Sequence, residues 1–480
     1  MGTIWVRSFS GGLDVRRIAE TSAGGTLLLG RDGHINRGEE FEQRSTFQQQ
    51  YVLPLGTTKG FAGTPAGIFV FGHQASQTGI PAGVSYQQIA APSGAALVAV
   101  PYATLYQGKL LVLGEFADGT TYVFYDGTRV SDVNAPPNAN PLDVPTALLT
   151  YRQKAFVTAG ASLYNSAILD PLDFGAGSGV GTAVIDMSTH AEGAEALTGI
   201  ARYDDFAAIF SRNVIQIWFL DPDPALSRQV QVLNNTGALA PRSITQFGDG
   251  DVFYLDRSGV RSLRARDSSN SAATTDIGSA IDPLLRGYLD DADPSVMRAA
   301  QGLIEPRDGR FWLLLGGTIY VLSFFRASKV SAWTTYEPGF TVDSMFVRDE
   351  VVWLRSGDTL YTFGDINGAP VYDSSVQAEC WLPYLDADQP FRGKNLEAVD
   401  AALRGEWEIR IGMDLAAPEV SDLVARVDAT TYNQQRIRTR GKATHFSLRF
   451  KARAPASPTA PAIISSCVMH FERDAQEDSG

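Results

Sequence analysis

Cysteine is scarce in this chain: two in 480 residues, Cys380 and Cys467. Two thiols cannot build a disulfide framework or, alone, a four-ligand zinc site, and both fit as buried apolar residues. Histidine is scarce too. His34, His73, His190, His445 and His470 are scattered with no metal-ligand spacing, so each reads as a surface or core residue. Charged residues make up 19% of the chain, below the usual ~25%. Bases are the minority among them, 40 against 53 acids, for a net charge of −13. A protein that grips nucleic acid usually shows the opposite balance, because affinity comes from neutralising phosphates. Long apolar runs are missing. The best candidate, Trp312 to Phe325, is too short to span a bilayer and is broken by Gly316-Gly317, a pair that reads as a hairpin turn. Met1 to Arg17 lacks the apolar stretch of a secretory signal, and Val6 stands where myristoylation needs Ser or Thr. The expectation is a soluble chain with no metal, no cofactor and no membrane insertion.

Helical periodicity is also sparse. Ser279 to Leu289 reads as one helix, with Ser279 as its cap and Pro283 in its first turn. What recurs instead is a β unit. Six turn-plus-strand phrases begin at Tyr106, Tyr151, Tyr203, Phe247, Pro306 and Val347, 41 to 59 residues apart. Each follows a strand that mostly carries small residues, such as Ala96-Leu-Val-Ala-Val or Ala196-Leu-Thr-Gly-Ile. Each precedes another strand, often aromatic, such as Thr121-Tyr-Val-Phe-Tyr or Val214-Ile-Gln-Ile-Trp. Three to four strands per 40–60 residues is the pattern of a propeller blade. Tyr51 to Ile89 fits as one more. The expected fold class is therefore all-β: a β-propeller of about seven blades, within six to eight, with a C-terminal antiparallel β domain. A pair of β-sandwiches also gives evenly spaced short strands, but not the same three-strand order six times. The expected boundaries are 1–44 for an N-terminal arm and first strands, 45–368 for the propeller, 369–474 for the C-terminal domain and 475–480 for a disordered acidic tail.

Catalytic patterns are weak. There is no Gly-x-Ser-x-Gly elbow, HExxH or Walker loop in the sequence. The run from Gly175 to Gly181 looks phosphate-binding, but a strand-like segment follows it where a helix is needed. Asp308-Gly-Arg-Phe-Trp echoes the turn of sialidase-like propellers and lacks its Ser. Asp204, Asp205, Asp249, Asp251, Asp308 and Asp349 lie in turns, where Asp commonly bonds its own backbone. Asp290, Asp291 and Asp293 lack EF-hand spacing. No catalytic residue is assigned, and the chain reads as a non-enzyme.

One charge pattern stands out. Arg436, Arg438, Arg440 and Lys442 alternate, as do Arg449, Lys451 and Arg453, with no acid between 436 and 453. At period two each set lies on one face of a strand. Paired as a hairpin, they would give a basic face on an acidic protein. Arg436, Arg438, Arg440, Arg449, Lys451 and Arg453 are thus candidate interface residues for an acidic neighbour. A DNA-facing role and a plain solvated face are the alternatives.

Ser10-Gly-Gly-Leu, followed by the run from Leu27 to Phe41, resembles the opening of tail nozzle proteins of short-tailed bacteriophages. That family includes tail tubular protein B and the packaged-DNA stabilisation proteins. The resemblance continues through Tyr151 to Gly160, Asp170 to Phe174, Tyr203 to Trp218, Gly237 to Ser243, Phe253 to Val260 and Ile277 to Leu284. It covers most of residues 10–365, and the C-terminal domain carries none of its own. It implies a structural virion protein, assembled in the host bacterial cytoplasm and located in the virion tail. The partners implied are five further copies in a homohexamer, the head-to-tail adaptor of the same virion, genomic DNA passing through the channel, and tail fibres or spikes. Its role would be to continue the DNA channel below the portal and adaptor, retain packaged DNA and open for ejection. The runner-up is a carbohydrate-binding or carbohydrate-acting propeller, such as a receptor-binding tail part.

Overall fold

A computed structural model of the chain describes residues 2–130, 145–175, 181–190, 195–268, 276–432 and 437–473. Within them the repeats fold as seven blades, so the chain is an all-β propeller with an attached β-sandwich. Blade 2 shows the pattern: Leu97–Tyr106, Lys109–Phe116, Thr121–Tyr125 and Thr128–Arg129 pair antiparallel in chain order. Blades 3, 4 and 6 likewise have four strands in order, starting at Pro145, Leu197 and Gln301. Blade 5 has three, from Thr245 to Ser262. Blade 1 has Gly60–Thr64, Gly67–Gly72 and Val84–Gln88, the last added parallel. Tyr51, read as the start of this blade, belongs elsewhere. Its strand, Phe47–Val52, pairs antiparallel with Thr359–Phe363 and becomes the outer strand of blade 7.

That exchange closes the ring. The Asp358 carboxylate reinforces it by accepting the backbone N–H groups of Gly56, Thr57 and Thr58 at 2.6, 3.1 and 2.9 Å. Apolar clusters fill the space between consecutive blades all the way round, including Phe61 and Val70 of blade 1 against Trp353 and Leu360 of blade 7. The recurrent tyrosines have a physical reason. Tyr106 donates to the Gln153 carbonyl of the next blade at 2.7 Å, and Tyr151 to that of Asp205 at 2.9 Å. The Gly316-Gly317 turn has φ of 59° and 85° and joins Arg310–Leu315 to Thr318–Phe325, the left-handed pair a two-residue hairpin needs.

The expected helix forms as Asp282–Asp291, with Pro283 in its first turn, but Ser279 does not cap it. The N-cap is Ile281, which has no side-chain acceptor. Two further short helices, Leu263–Ser268 and Pro294–Ala299, accompany it. Ile281, Leu285, Leu289 and Met297 cover Phe253 and Leu255 of blade 5.

The second body is a sandwich made from both ends of the chain. Residues 1–44, expected as an arm with first strands, put Gly2–Val6 antiparallel to Cys467–Phe471, Leu29–Arg31 beside Glu379–Trp381, and Phe41 beside Ile464. The long strand Lys394–Gly412 belongs to both of its sheets. Its first half pairs with Ile437–Ala443 and Ile463–Arg473, its second with Asp422–Ala429 and Ser447–Ala454. Gly405 permits the bend, with φ 78° and no room for a side chain: a Cβ there would lie 2.8 Å from that of Ala462. Trp407, Phe41, Leu448 and both cysteines are buried in the core between the sheets, and burial pushes the Cys467 thiol up to about 12. Thr335 of blade 6 pairs parallel with Arg31, which fuses the sandwich to the propeller.

Candidate functional site: basic strands, a buried acid cluster and the propeller axis

The two basic segments do not form a hairpin with each other. Ile437–Ala443 and Ser447–Ala454 pair with opposite halves of Lys394–Gly412. The short connection read as a hairpin turn is a crossing between sheets, which the bent central strand makes possible. Arg436 lies outside the described residues. Arg438, Arg440 and Lys442 are exposed and alternate with half-buried Ile437, Thr439 and Gly441, as period two requires.

Arg449, Lys451 and Arg453 have different surroundings. Arg449 is buried. It donates to the carbonyls of Glu419, at 2.7 Å, and Pro418, and its guanidinium sits 4.1 Å over the Trp381 ring. Burial pushes its pKa down. Lys451 is half-buried between its cross-strand partners Glu379 and Glu408. Glu408 also holds Arg410 at 2.9 Å and Arg426 at 3.5 Å, and the Arg410 hydrogen bond leads in lowering its carboxyl. Arg453 contributes to the same effect. In the second basic set Lys451 and Arg453 are thus offset by acids on the strands beside them and Arg449 is buried against carbonyls and an indole, so the exposed positive charge is that of Ile437–Ala443.

Most histidines and turn acids are engaged in the fold. Asp293 caps Pro294–Ala299 through Ser295. Asp349 sits with Glu350 in a left-handed turn at φ 48° and 61°. His470 contacts Asp400 at 2.8 Å, and His190 packs edge-on against Trp218. Among the described residues no group of three or more His, Cys, Asp or Glu is arranged to hold a metal, and no helix is long and apolar enough to cross a membrane. The glycine-rich run beginning at Gly175 lies mostly outside the described residues.

Two polar clusters escaped the sequence reading. The first lies where the sandwich meets blades 6 and 7. His34 Nδ1 is 2.8 Å from the Tyr336 hydroxyl, and Nε2 is 3.6 Å from Glu42. Arg310 lies 2.7 Å from Asp308 and 3.8 Å from Glu305. Burial pushes both His34 down and Glu305 up. Burial would also raise Glu42, but His34, Asn36 and Arg310 outweigh it and hold the carboxyl at about 2. The cavity beside this cluster is about 60 Å³, room for one or two waters and too small for a sugar. It is a junction between domains. No sequence signal marked it, because His34 and Arg310 are 276 residues apart.

The second cluster lies on the propeller axis, at Tyr102, Arg242 and Gln301. Its signal was one charge in an apolar phrase, Gly237-Ala-Leu-Ala-Pro-Arg-Ser.

No family model and no curated protein sequence matches the chain. Among solved structures it is similar to the Pan2 WD40 domain of Neurospora crassa at 12% identity, covering 68% of this chain and 90% of that one, with a TM-score of 0.37. It is also similar to BamB of Moraxella catarrhalis at 10% identity, covering 68% and 98%, with a TM-score of 0.36. A third is YCF48 bound to a D1 peptide, at 12% identity, covering 67% and 100%, with a TM-score of 0.41. These likenesses concern the propeller fold alone.

Proposed function

We propose that this chain is a structural virion protein, a subunit of the tail nozzle of a short-tailed bacteriophage. Six copies form a ring below the portal and adaptor, continue the DNA channel, retain the packaged genome and let it pass on ejection. The observation that carries this reading is the run of nozzle-like phrases across residues 10–365. In the structure those phrases fall at joints of the scaffold. Leu27 to Phe41 supplies sandwich strands and the link to blade 6. Tyr151 binds blade 3 to blade 4. Ile277 accepts the Trp333 indole N–H at 2.6 Å and so ties the helical insert to blade 6. A family resemblance concentrated on joints suits a protein whose task is to hold a shape. The net charge of −13 suits a channel wall that gives passing DNA no resting site.

The test is assembly. Negative-stain images and native mass of the purified chain, alone and with its adaptor, are expected to give a six-fold ring in at least the second case. A chain that stays monomeric in the presence of the adaptor overturns the reading.

A further inference from the structure

The innermost strands of the propeller leave an axial cavity with two lobes of about 490 and 340 Å³, which share Pro101, Tyr102 and Arg242. Both volumes fall in the range of small-molecule pockets. Four blades supply the residues around Arg242. Arg242 itself opens blade 5 and donates from Nη2 to Gln301 Oε1 of blade 6. Gln301 is committed on its other side: its Nε2 donates to the Met345 carbonyl of blade 7 at 2.6 Å, and Met345 N–H returns to Oε1 at 2.8 Å. Tyr102 comes from blade 2.

What marks this site is a missing counter-charge. Elsewhere the buried arginines have acids: Arg44 with Asp32 at 2.7 Å, Arg261 with Asp276 and Asp282 at 3.2 and 2.9 Å, and Arg310 with Asp308 at 2.7 Å. Arg449 lacks one but has two carbonyls and an indole face. Among the described residues no carboxylate lies within ion-pair distance of Arg242, although Glu115 and Asp343 are near enough to act through space. Its Nε has no hydrogen-bond partner, as is also true of Arg266, Arg310 and Arg449, but here the Tyr102 hydroxyl beside it is buried without one as well. Arg242 is half-buried, and a guanidinium partly withdrawn from water with one neutral acceptor is costly unless something supplies the charge.

We propose that the axial cavity binds a small monoanionic hydroxy acid, of the size and polarity of a uronic acid, with its carboxylate on Arg242. The volume argues for a small molecule. The chemistry argues for one negative charge in the larger lobe, where Arg242 is the one charged side chain among the described residues of the lining; in the second lobe Arg212 and Arg298 stand beside Glu115, which Arg298 approaches at 3.7 Å. Pro101, Tyr102 and Met345 offer apolar surface for a ring, and Thr104 offers a hydroxyl. This site is independent of the ring assembly proposed above and is read on the free chain.

The experiment uses the full chain, with galacturonate as probe and thermal shift and calorimetry as readouts. Galacturonate at millimolar concentration is expected to raise the melting temperature by at least 2 °C and to titrate at one site. Galactose, and phosphate at matched ionic strength, are expected to do neither. Arg242→Gln is expected to abolish the response while leaving the ligand-free melting temperature equal or higher, because it removes an uncompensated charge. Tyr102→Phe is expected to weaken binding several-fold. The proposal is overturned by no response to galacturonate, by an equal or larger response to phosphate, by a response that survives in Arg242→Gln, or by tighter binding of a short oligo-aspartate peptide. A fall in the ligand-free melting temperature of Arg242→Gln also overturns it, since the guanidinium then serves only to hold Gln301.

Discussion

The propeller and the sandwich are built from the same kind of strand but close their hydrogen bonds over different lengths of chain. In blade 2 the first hairpin pairs Tyr106 with Lys109 across two residues, and the remaining strands follow directly. In the sandwich Gly2 pairs with Phe471, and Arg31 with Glu379. Between blade strands the described residues show one such closure, Phe47–Val52 onto Thr359–Phe363. Loop-closure entropy makes distant pairing the slower step to reach. The blades are thus positioned to form locally, while the sandwich waits for both termini.

The largest expected effect tests whether the two bodies are separate in stability. Trp407 is fully buried where the long strand bends, against Phe41. Trp407→Ala is expected to cost about 3–5 kcal/mol. Hydrogen exchange should then rise at Gly2–Val6 and Ile463–Arg473 while the inner blade strands stay protected. Equal loss of protection in the blades would mean that propeller and sandwich unfold as one unit.

The acid cluster at the junction gives the next effect. The folded-state pKa of His34 is depressed, so its contribution is present above about 6.5 and is lost as pH falls below that. Glu42 is held at about 2, so its contribution is present above its unfolded value and drains as pH falls from about 4.5. Glu305, pushed up by burial, acts in the opposite sense and returns some stability on acidification. Urea unfolding at pH 7, 5.5 and 4 should show a net decline, and Glu42→Gln should flatten its lower part. A stability that rises steadily toward pH 4 would place the balance on Glu305.

Asp358 probes the long-range closure of blade 7. Asp358→Ala leaves three backbone N–H groups near Gly56 without their acceptor and is expected to cost about 2 kcal/mol. Exchange should rise in Phe47–Val52 before any sandwich strand. If the sandwich opens first, the ring closure is not the weaker seam of the propeller.

The same difference in range decides what was legible in the sequence. The blades could be read because each repeats a local pattern: a left-handed turn and an apolar run, led in three of the six phrases by a tyrosine. Even the hairpin over Gly316-Gly317 was readable, since the turn residues carry their own conformational requirement. The sandwich could not be read beyond its strands. Alternation placed Arg438 and Arg440 on an open face correctly, because that needs only the strand's own period. It failed for Arg449 because Trp381, 68 residues away in sequence, covers that face. Period two gives the sides of a strand but not what lies against them. Arg242 and the His34 cluster were missed for the same reason, their partners being brought in from other blades.

The smallest effect on stability carries the largest consequence for the proposed ring. Arg438 and Arg440 are exposed on Ile437–Ala443, so Arg438→Glu with Arg440→Glu is expected to change the stability of the monomer by no more than about 0.5 kcal/mol per site. Arg449 has the opposite character, and Arg449→Glu is expected to unfold the region around Trp381 by burying a carboxylate against two carbonyls. Only the exposed pair can therefore test assembly cleanly. Each rim contact is worth ~0–1 kcal/mol, but reversal removes two contacts and adds repulsion in every subunit of a ring. If the strand docks an acidic neighbour, the double variant should fold, melt like wild type and fail to enter six-fold rings with the adaptor. If it faces DNA, rings should form and retention or ejection of the genome should change. If rings form and the genome behaves as in wild type, the stripe is a solvated face, and the difference between the two basic strands is one of burial alone.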